Sequence, residues 1–164
     1  MEKSFLQKYG IVLVLLLICA VLSFLSPVFL TAPNLINVIR QISINGILAI
    51  GMTLIIITGG IDLSVGSQVA LTGAVVAGLL SSGTSIALAI IVGLAAGALI
   101  GFINGTIITK GGVPPFIVTL GMLTAARGIT LIYTGGRPIY NLGSTFRFFG
   151  AGYVGGIPVP VIIL

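Results

Sequence analysis

The feature that most limits how this chain can fold is a series of apolar stretches, several of which run without a charge for longer than the ~18 residues of a membrane-spanning helix. Only 5% of the 164 residues are charged, whereas a soluble domain has about 25%. So few charges cannot cover a water-facing surface, but lipid tails tolerate an apolar exterior. We therefore predict an all-α fold, a polytopic bundle of transmembrane helices with membrane lipid around most side chains.

Five complete spans are predicted, because five apolar runs are separated by Gly, Pro and polar residues that end helices. Gly59-Gly60 suits the C-terminus of the second helix, and Pro114 suits the first turn of the fifth. The five runs cover Tyr9–Phe29, Ile42–Thr58, Leu63–Leu80, Ser85–Ile108 and Pro114–Tyr133.

The segments outside these runs are predicted to be connections. Leu30–Asn37 is polar and contains a proline, and Thr134–Pro158 is predicted as a water-exposed loop with a short amphipathic piece at Thr145–Phe149. Val159–Leu164 then begins the sixth apolar run, which stops far short of the ~20 residues needed to cross. We expect residues 1–164 to be a truncated chain, the N-terminal part of one transmembrane domain.

The orientation of membrane-spanning helices is usually predicted from the basic residues, which gather on the cytoplasmic side of membrane proteins. With five plain crossings, three basic residues fall on each side, so the count alone decides nothing. The two groups are Lys3, Lys8 and Lys110 against Arg40, Arg137 and Arg147. The first helix usually dominates, and this favours a cytoplasmic N-terminus. A re-entrant turn around Asp62 would change the parity, and this alternative stays open.

Several functional classes are excluded by what the sequence lacks. Its basic residues are scattered, which excludes a phosphate-binding face for nucleic acid. It has no His and a single Cys, so neither a metal site nor a His-dependent catalytic triad can be assembled. No phosphate-binding loop of the Gly-x-x-x-x-Gly-Lys-[Ser/Thr] type occurs. We expect no enzymatic activity, no cofactor and no bound metal.

Two predicted helices carry rows of small residues at intervals of four, which place them on one helix face. Such rows allow close packing where lipid removes the hydrophobic drive between helices. We expect the two rows to pack face to face, and static packing is favoured over a sliding surface. The small-residue rows are Gly66, Ala70, Ala74 and Gly78 in the third helix and Gly93, Gly97, Gly101 and Gly105 in the fourth.

Asp62 is the only acidic residue beyond position 2, and it lies in the run GGIDLSVGS between two apolar helices. A carboxylate there is unfavourable unless polar groups surround it. Asp62 can cap the third helix by accepting a hydrogen bond from the N–H of Ser64 or Val65. A compatible functional interpretation is that a helix broken at this loop lines a path for a solute.

Arg127 lies within the fifth predicted helix, about 20 Å along it at 1.5 Å per residue. Snorkelling to the membrane interface is the favoured interpretation, and an ion pair with Asp62 is the alternative. Further polar residues within or near the spans line a hydrated passage or hydrogen-bond between helices. They are Gln41, Ser43, Asn45, Thr53, Gln68, Thr72, Asn104, Thr119 and Thr124.

The run NLINVIRQISINGILAIGMTLIIITGGIDLSVG, residues 34–66, closely resembles the permeases for ribose and related monosaccharides of bacterial ABC importers. The resemblance continues through LTGAV at 71–75, Lys110-Gly111, FIVTL at 116–120, Arg127-Gly128 and Tyr133-Thr134. It implies a multi-pass inner-membrane permease that works by alternating access. It also implies as partners a second permease copy, two ATP-binding subunits and an extracytoplasmic sugar-binding protein.

Under this resemblance the Asp62 loop is expected to be a pivot near the substrate path. Arg127 is the second candidate, and Ser64, Asn45 and Gln41 are further ones. The family's ATPase-coupling loop is expected beyond residue 164. The sequence does not choose the sugar, nor between a homodimer and a heterodimer of permeases. Two alternatives remain: an ion-gradient-driven carrier or channel with a protonatable Asp62, and a membrane scaffold that transports nothing.

Overall fold

The computed structural model describes residues 5–164, with side chains from residue 9 onward. Lys3 and the side chain of Lys8, which the orientation argument uses, lie outside this part. In chain order the described elements are α1 (Phe5–Leu25), α2 (Ala32–Ile57), α3 (Val65–Ser81), α4 (Ile86–Gly111), α5 (Pro115–Thr134), α6 (Ser144–Ala151), β1 (Tyr153–Val154), β2 (Ile157–Pro158) and α7 (Val159–Ile163).

Two compact units divide the chain within α2, the first ending at Ser43 and the second covering Ile44–Leu164. In the first unit, α2 begins at Ala32, so the prediction of a connection over Leu30–Asn37 and a helix start at Ile42 was wrong. Pro33 occupies the first turn, where a missing N–H leaves no bond unmade. The side chain of Asn34 donates to the carbonyl of Phe29 at 2.7 Å.

The first helix is also shorter than predicted at its C-terminal end. It ends at Leu25 and not at Phe29, and Pro27 explains the difference. A residue that precedes proline is held away from helical backbone angles, so a helix stops before it.

The second unit is built on α3, which packs against both α4 and α5. Its buried core contains Leu71 of α3, Ile100 of α4 and Ala126 of α5, with Val75 and Met122 packed against them. The core side chains are few, as expected where neighbouring helices approach closely without a hydrophobic drive.

The segment after α5 departs from the predicted loop. Thr145–Phe149 lies within α6, and the following residues form an antiparallel hairpin in which Tyr153 is opposite Pro158. Gly155 and Gly156, with φ of 58° and 83°, make the two-residue turn. Two successive positive φ angles are what such a turn requires and glycine provides. The all-α prediction therefore holds for the main architecture and was wrong for this hairpin.

Three of the five predicted spans, α2, α4 and α5, are long and apolar enough to cross a membrane. The apolar parts of α1 and α3 that the structure describes, Tyr9–Leu25 and Val65–Ser81, are shorter. Between 83% and 94% of each long span's most apolar window remains unburied within the described chain. Apolar helix surfaces of this extent suit a lipid environment or contact with other transmembrane helices.

Candidate functional site

The connection between α2 and α3 places Asp62 at the start of α3. The N–H of Gly59 bonds the carbonyl of Ile56 at 2.9 Å, and that of Gly60 bonds the carbonyl of Ile55 at 3.0 Å. Gly59 has a φ of 78°, a left-handed conformation that glycine adopts without strain. These bonds satisfy carbonyls in the last turn of α2 and turn the chain sharply. Asp62 follows Gly59 by three residues and lies just before α3.

The carboxylate of Asp62 accepts hydrogen bonds from neutral donors of two residues, Ser64 just before α3 and Gln68 within α3. Its Oδ1 accepts from the N–H of Ser64 at 2.7 Å and from the Ser64 hydroxyl at 2.5 Å. Its Oδ2 accepts from Nε2 of Gln68 at 3.0 Å. The predicted bond from the N–H of Ser64 is thus formed, although the N-cap residue of α3 is Ser64 and not Asp62. Charge-assisted bonds of this kind are the stronger ones in proteins.

Ser64 connects this network to α4. Its side chain is fully buried, and its hydroxyl oxygen accepts from Nε2 of Gln68 at 2.7 Å and from Nδ2 of Asn104 at 3.3 Å. Asn104 is only 5% exposed, and no protein group within residues 5–164 donates to its Oδ1. The network therefore ends in a buried acceptor without a donor.

Thr119 of α5 holds the loop from the other side. Its hydroxyl lies 2.8 Å from the carbonyl of Pro115 and 3.2 Å from the carbonyl of Ile61, and its side chain is 2% exposed. One hydroxyl proton is shared between these two carbonyls, so the loop before α3 is attached to α5 as well as to α4.

A cavity of about 420 Å³ lies at this junction, and we call it the Asp62 cavity. Its walls come from the end of α2, the loop residues 58–62, and the facing parts of α4 and α5. Asp62, Asn104 and Thr119 are among its lining side chains. It combines the polar side chains of Asp62, Asn104 and three threonines, Thr58, Thr109 and Thr119, with apolar walls, which is the usual composition of a small-molecule site.

Arg127 lies elsewhere, and the alternative of an Asp62–Arg127 ion pair was wrong. The hydrogen bonds of the Asp62 carboxylate within the described residues come from Ser64 and Gln68. Arg127 is exposed on α5 and borders a second groove, together with Leu63 and Ser67.

The other candidate path residues are not gathered around Asp62. Asn45, in the same compact unit, is exposed on α2 and is not among the residues lining the Asp62 cavity. Gln41 is also exposed and belongs to the first compact unit. Ser64 alone among them shares the Asp62 network.

The small-residue rows do not face each other along their whole length. A Cβ at Gly93 would meet Val76 of α3, and one at Gly97 would lie 3.6 Å from Thr72. The other two glycines of the α4 row, Gly101 and Gly105, line the Asp62 cavity instead. Because α3 also packs against α5, Gly78 of α3 faces Tyr133 of α5, while Gly66 and Ala70 border the groove of Arg127. Ala74 is partly buried.

Asn104 and Thr119 were among the polar residues of the predicted spans, but the sequence did not assign them to the Asp62 site. They lie 40 positions from Ser64 and 58 from Ile61, respectively. The only sequence signal available was a polar side chain within an apolar helix, and such residues more often hydrogen-bond to their own helix.

Comparison with known proteins places the chain among membrane permeases. Residues 34–155 match the family described as "Branched-chain amino acid transport system / permease component". The ribose import permease protein of Bacillus subtilis (strain 168) is 51% identical over 161 residues, covering 97% of this chain and 50% of that protein. No solved structure matches the chain.

Two relatives from Escherichia coli (strain K12) extend the comparison. The ribose import permease protein is 46% identical, covering 99% of this chain and 52% of the relative. The galactose/methyl galactoside import permease protein is 40% identical, covering 93% and 51%. The chain spans about half the length of these relatives. The resemblance to monosaccharide permeases is confirmed. The chain belongs to the permease family described as "Branched-chain amino acid transport system / permease component".

Proposed function

We propose that this chain is part of the transmembrane permease subunit of an ATP-driven importer, which carries a monosaccharide such as ribose across the bacterial inner membrane. The observation that supports this most strongly is the 51% identity to a ribose import permease over 97% of the chain. The cavity between α2, α4 and α5 agrees with transport of a neutral polar solute, because its polar groups are oxygen acceptors within apolar walls.

The proposed importer includes a second permease copy, two ATP-binding subunits and an extracytoplasmic sugar-binding protein. The chain has no phosphate-binding loop of the Walker type. ATP hydrolysis is therefore assigned to the separate subunits, and the permease itself is not an enzyme. The N-terminus is placed in the cytoplasm, and α1 to α5 are taken as five crossings.

Alternating access is the proposed mechanism, with the Asp62 loop as a pivot beside the substrate path. In support, the loop is hydrogen-bonded to α3 through Gln68, to α4 through Ser64 and to α5 through Thr119. Hydrogen-bond networks of this kind carry coupling between helices when they have two discrete arrangements, as a pivot requires. Arg127, Asn45 and Gln41 remain proposed as further path residues outside this network.

The test is uptake of labelled D-ribose by proteoliposomes that contain the full-length permease and its ATP-binding subunits, with the sugar-binding protein supplied outside. Uptake is expected to need ATP inside, where the ATP-binding subunits act, and to persist when ionophores abolish ion gradients. Uptake that stops with the ionophore and ignores ATP would instead establish the ion-driven carrier. The import permeases named above lend that alternative no support.

A further inference from the structure

We infer that the Asp62 cavity is a binding site for a neutral polyhydroxylated ligand, a monosaccharide, and that Oδ1 of Asn104 accepts a hydrogen bond from one of its hydroxyl groups. The inference rests on the proposed function, since it assigns a site residue to that function's substrate class. It begins from the orientation of the Asn104 carboxamide.

The hydrogen-bond network determines that orientation. The hydroxyl of Ser64 has one proton, and it donates this proton to Oδ1 of Asp62 at 2.5 Å. The Ser64 oxygen can then only accept, and it does so from Gln68 and from Nδ2 of Asn104 at 3.3 Å. A flipped Asn104 would place its oxygen against another acceptor. Its amide nitrogen therefore faces Ser64, and Oδ1 faces away.

This leaves Oδ1 of Asn104 buried without a donor from the described residues, on a side chain that is 95% buried. Most buried side-chain oxygens have a hydrogen-bond partner, because an unpaired one keeps the full desolvation penalty. Asn104 lines the Asp62 cavity. Oδ1 itself is fully buried, so a donor in the cavity reaches it only when a neighbouring side chain of the cavity wall moves aside.

The remaining polar side chains of the cavity are acceptors as well, since the hydroxyls of Thr58 and Thr109 donate to backbone carbonyls. The Thr119 hydroxyl directs its proton to the backbone carbonyls of Pro115 and Ile61, so its oxygen is left to accept. The carboxylate of Asp62 accepts only. A ligand that satisfies several separated acceptors must bring several donors on one small framework, and a sugar does this through its hydroxyl groups.

The size of the cavity favours a sugar over water or a bare cation. A volume of about 420 Å³ lies within the range of small-molecule sites, roughly 300–1,000 Å³, while one water occupies about 30 Å³ in the liquid. A hard cation needs about six oxygen ligands within about 2.6 Å. Residues 5–164 hold no cluster of three potential His, Cys, Asp or Glu ligands.

The first experiment uses the full-length permease with its ATP-binding subunits and without the sugar-binding protein, whose own sugar site would mask the measurement. It compares D-ribose with its singly deoxyfluoro analogues, in which fluorine cannot donate a hydrogen bond. In the wild type, one analogue is expected to bind about tenfold more weakly than D-ribose, measured by NMR titration. Asn104→Leu should weaken D-ribose binding by a similar factor and abolish the difference between D-ribose and that analogue. A variant that still discriminates like the wild type overturns the inference.

The second experiment does not alter Asn104. Gly105 lines the cavity and has no atom within 4 Å of an added Cβ, so Gly105→Cys places a thiol there without a clash. The matched control is Gly51→Cys on α2, which has equally open surroundings and does not line the cavity. Both are made with Cys19→Ser, which removes the one thiol of residues 1–164, and in a permease without other reactive cysteines.

D-ribose is expected to slow thiol alkylation at position 105 severalfold and to leave position 51 unchanged. Equal rates with and without sugar, or protection by sodium ions without sugar, overturn the inference. Wild-type uptake tests the proposed function separately. An importer that carries D-ribose but shows neither discrimination nor protection refutes the Asn104 site alone, whereas failure of wild-type uptake refutes the proposed function.

Discussion

The hydroxyl of Thr119 in α5 lies 3.2 Å from the carbonyl oxygen of Ile61, 58 positions earlier in the chain, and donates a hydrogen bond to it. On the opposite side of the same loop, Nδ2 of Asn104 in α4 lies 3.3 Å from the hydroxyl oxygen of Ser64. Both side chains are almost fully buried. The loop that carries Asp62 is therefore held by two helices that follow it by dozens of residues.

Replacing Thr119 with valine tests how much this attachment contributes to stability. Thr119→Val keeps the side-chain shape but leaves the carbonyl of Ile61 without this donor. We expect the free energy of unfolding in detergent to fall by about 1–3 kcal/mol. The control is Thr124→Val on the same helix, whose exposed hydroxyl bonds only carbonyls of α5, and which should change stability by less than about 0.5 kcal/mol. Equal effects would contradict the prediction.

Asp62→Asn tests the charge of the network. Asparagine keeps an oxygen for Ser64 but turns an NH₂ toward Nε2 of Gln68, which is also a donor. We expect a loss of about 1–3 kcal/mol in the free energy of unfolding. Asp62→Ala removes all three bonds and should lose more. Chemical unfolding of both variants in the same detergent measures this order, and an alanine variant as stable as the asparagine variant would refute it.

Exchanging the charges of Asp62 and Arg127 tests their separation. Since the carboxylate is bonded by Ser64 and Gln68, Asp62→Arg should reduce the amount of folded protein, and adding Arg127→Asp should restore none of it. Size-exclusion chromatography of the two single variants and the double variant in detergent gives the comparison. Recovery in the double variant would show that the two residues do pair.

Gly93→Ala tests the contact between α3 and α4. The added methyl group would collide with Val76, which must shift, and overpacking of this kind typically destabilises by about 1–3 kcal/mol. Gly101→Ala in the same helix meets no atom within 4 Å, and alanine is favoured over glycine there by about 0.5–1 kcal/mol. Thermal unfolding should therefore separate the two variants in opposite directions. If Gly93→Ala is as stable as Gly101→Ala, the close contact is not a constraint.

Gly97→Leu should also disrupt the packing of α3 against α4. Thr72 lies 3.6 Å from a Cβ added at Gly97, so the rest of a leucine side chain would collide with it.

The elements of this protein were largely predictable, because each depends on neighbouring residues. Apolar runs without charges predict α3, α4 and α5 to within a few residues, and Gly59 and Pro114 lie at helix ends because of their backbone preferences. Errors remain at the end of α1, before Pro27, in the hairpin after α5, and where polar residues join a helix. Asn34 and Asn37 suggested a connection, yet both lie in α2, because a helix tolerates polar side chains wherever they find partners or face outward.

Which residues surround Asp62 could not be predicted, because it depends on how helices distant in sequence lie against one another. The sequence supplied one acid in a broken helix, and from it followed the local bond to Ser64. It did not choose Asn104 and Thr119 as partners over Arg127.

By itself, then, the amino-acid sequence determined that this is a helical membrane protein, since side-chain chemistry and the length of apolar runs decide what lipid accepts. Only the tertiary structure decided that Oδ1 of Asn104 is buried beside the Asp62 cavity. Hydrogen bonds form over about 3 Å, and a one-dimensional pattern cannot specify distances between helices that pack through many weak contacts.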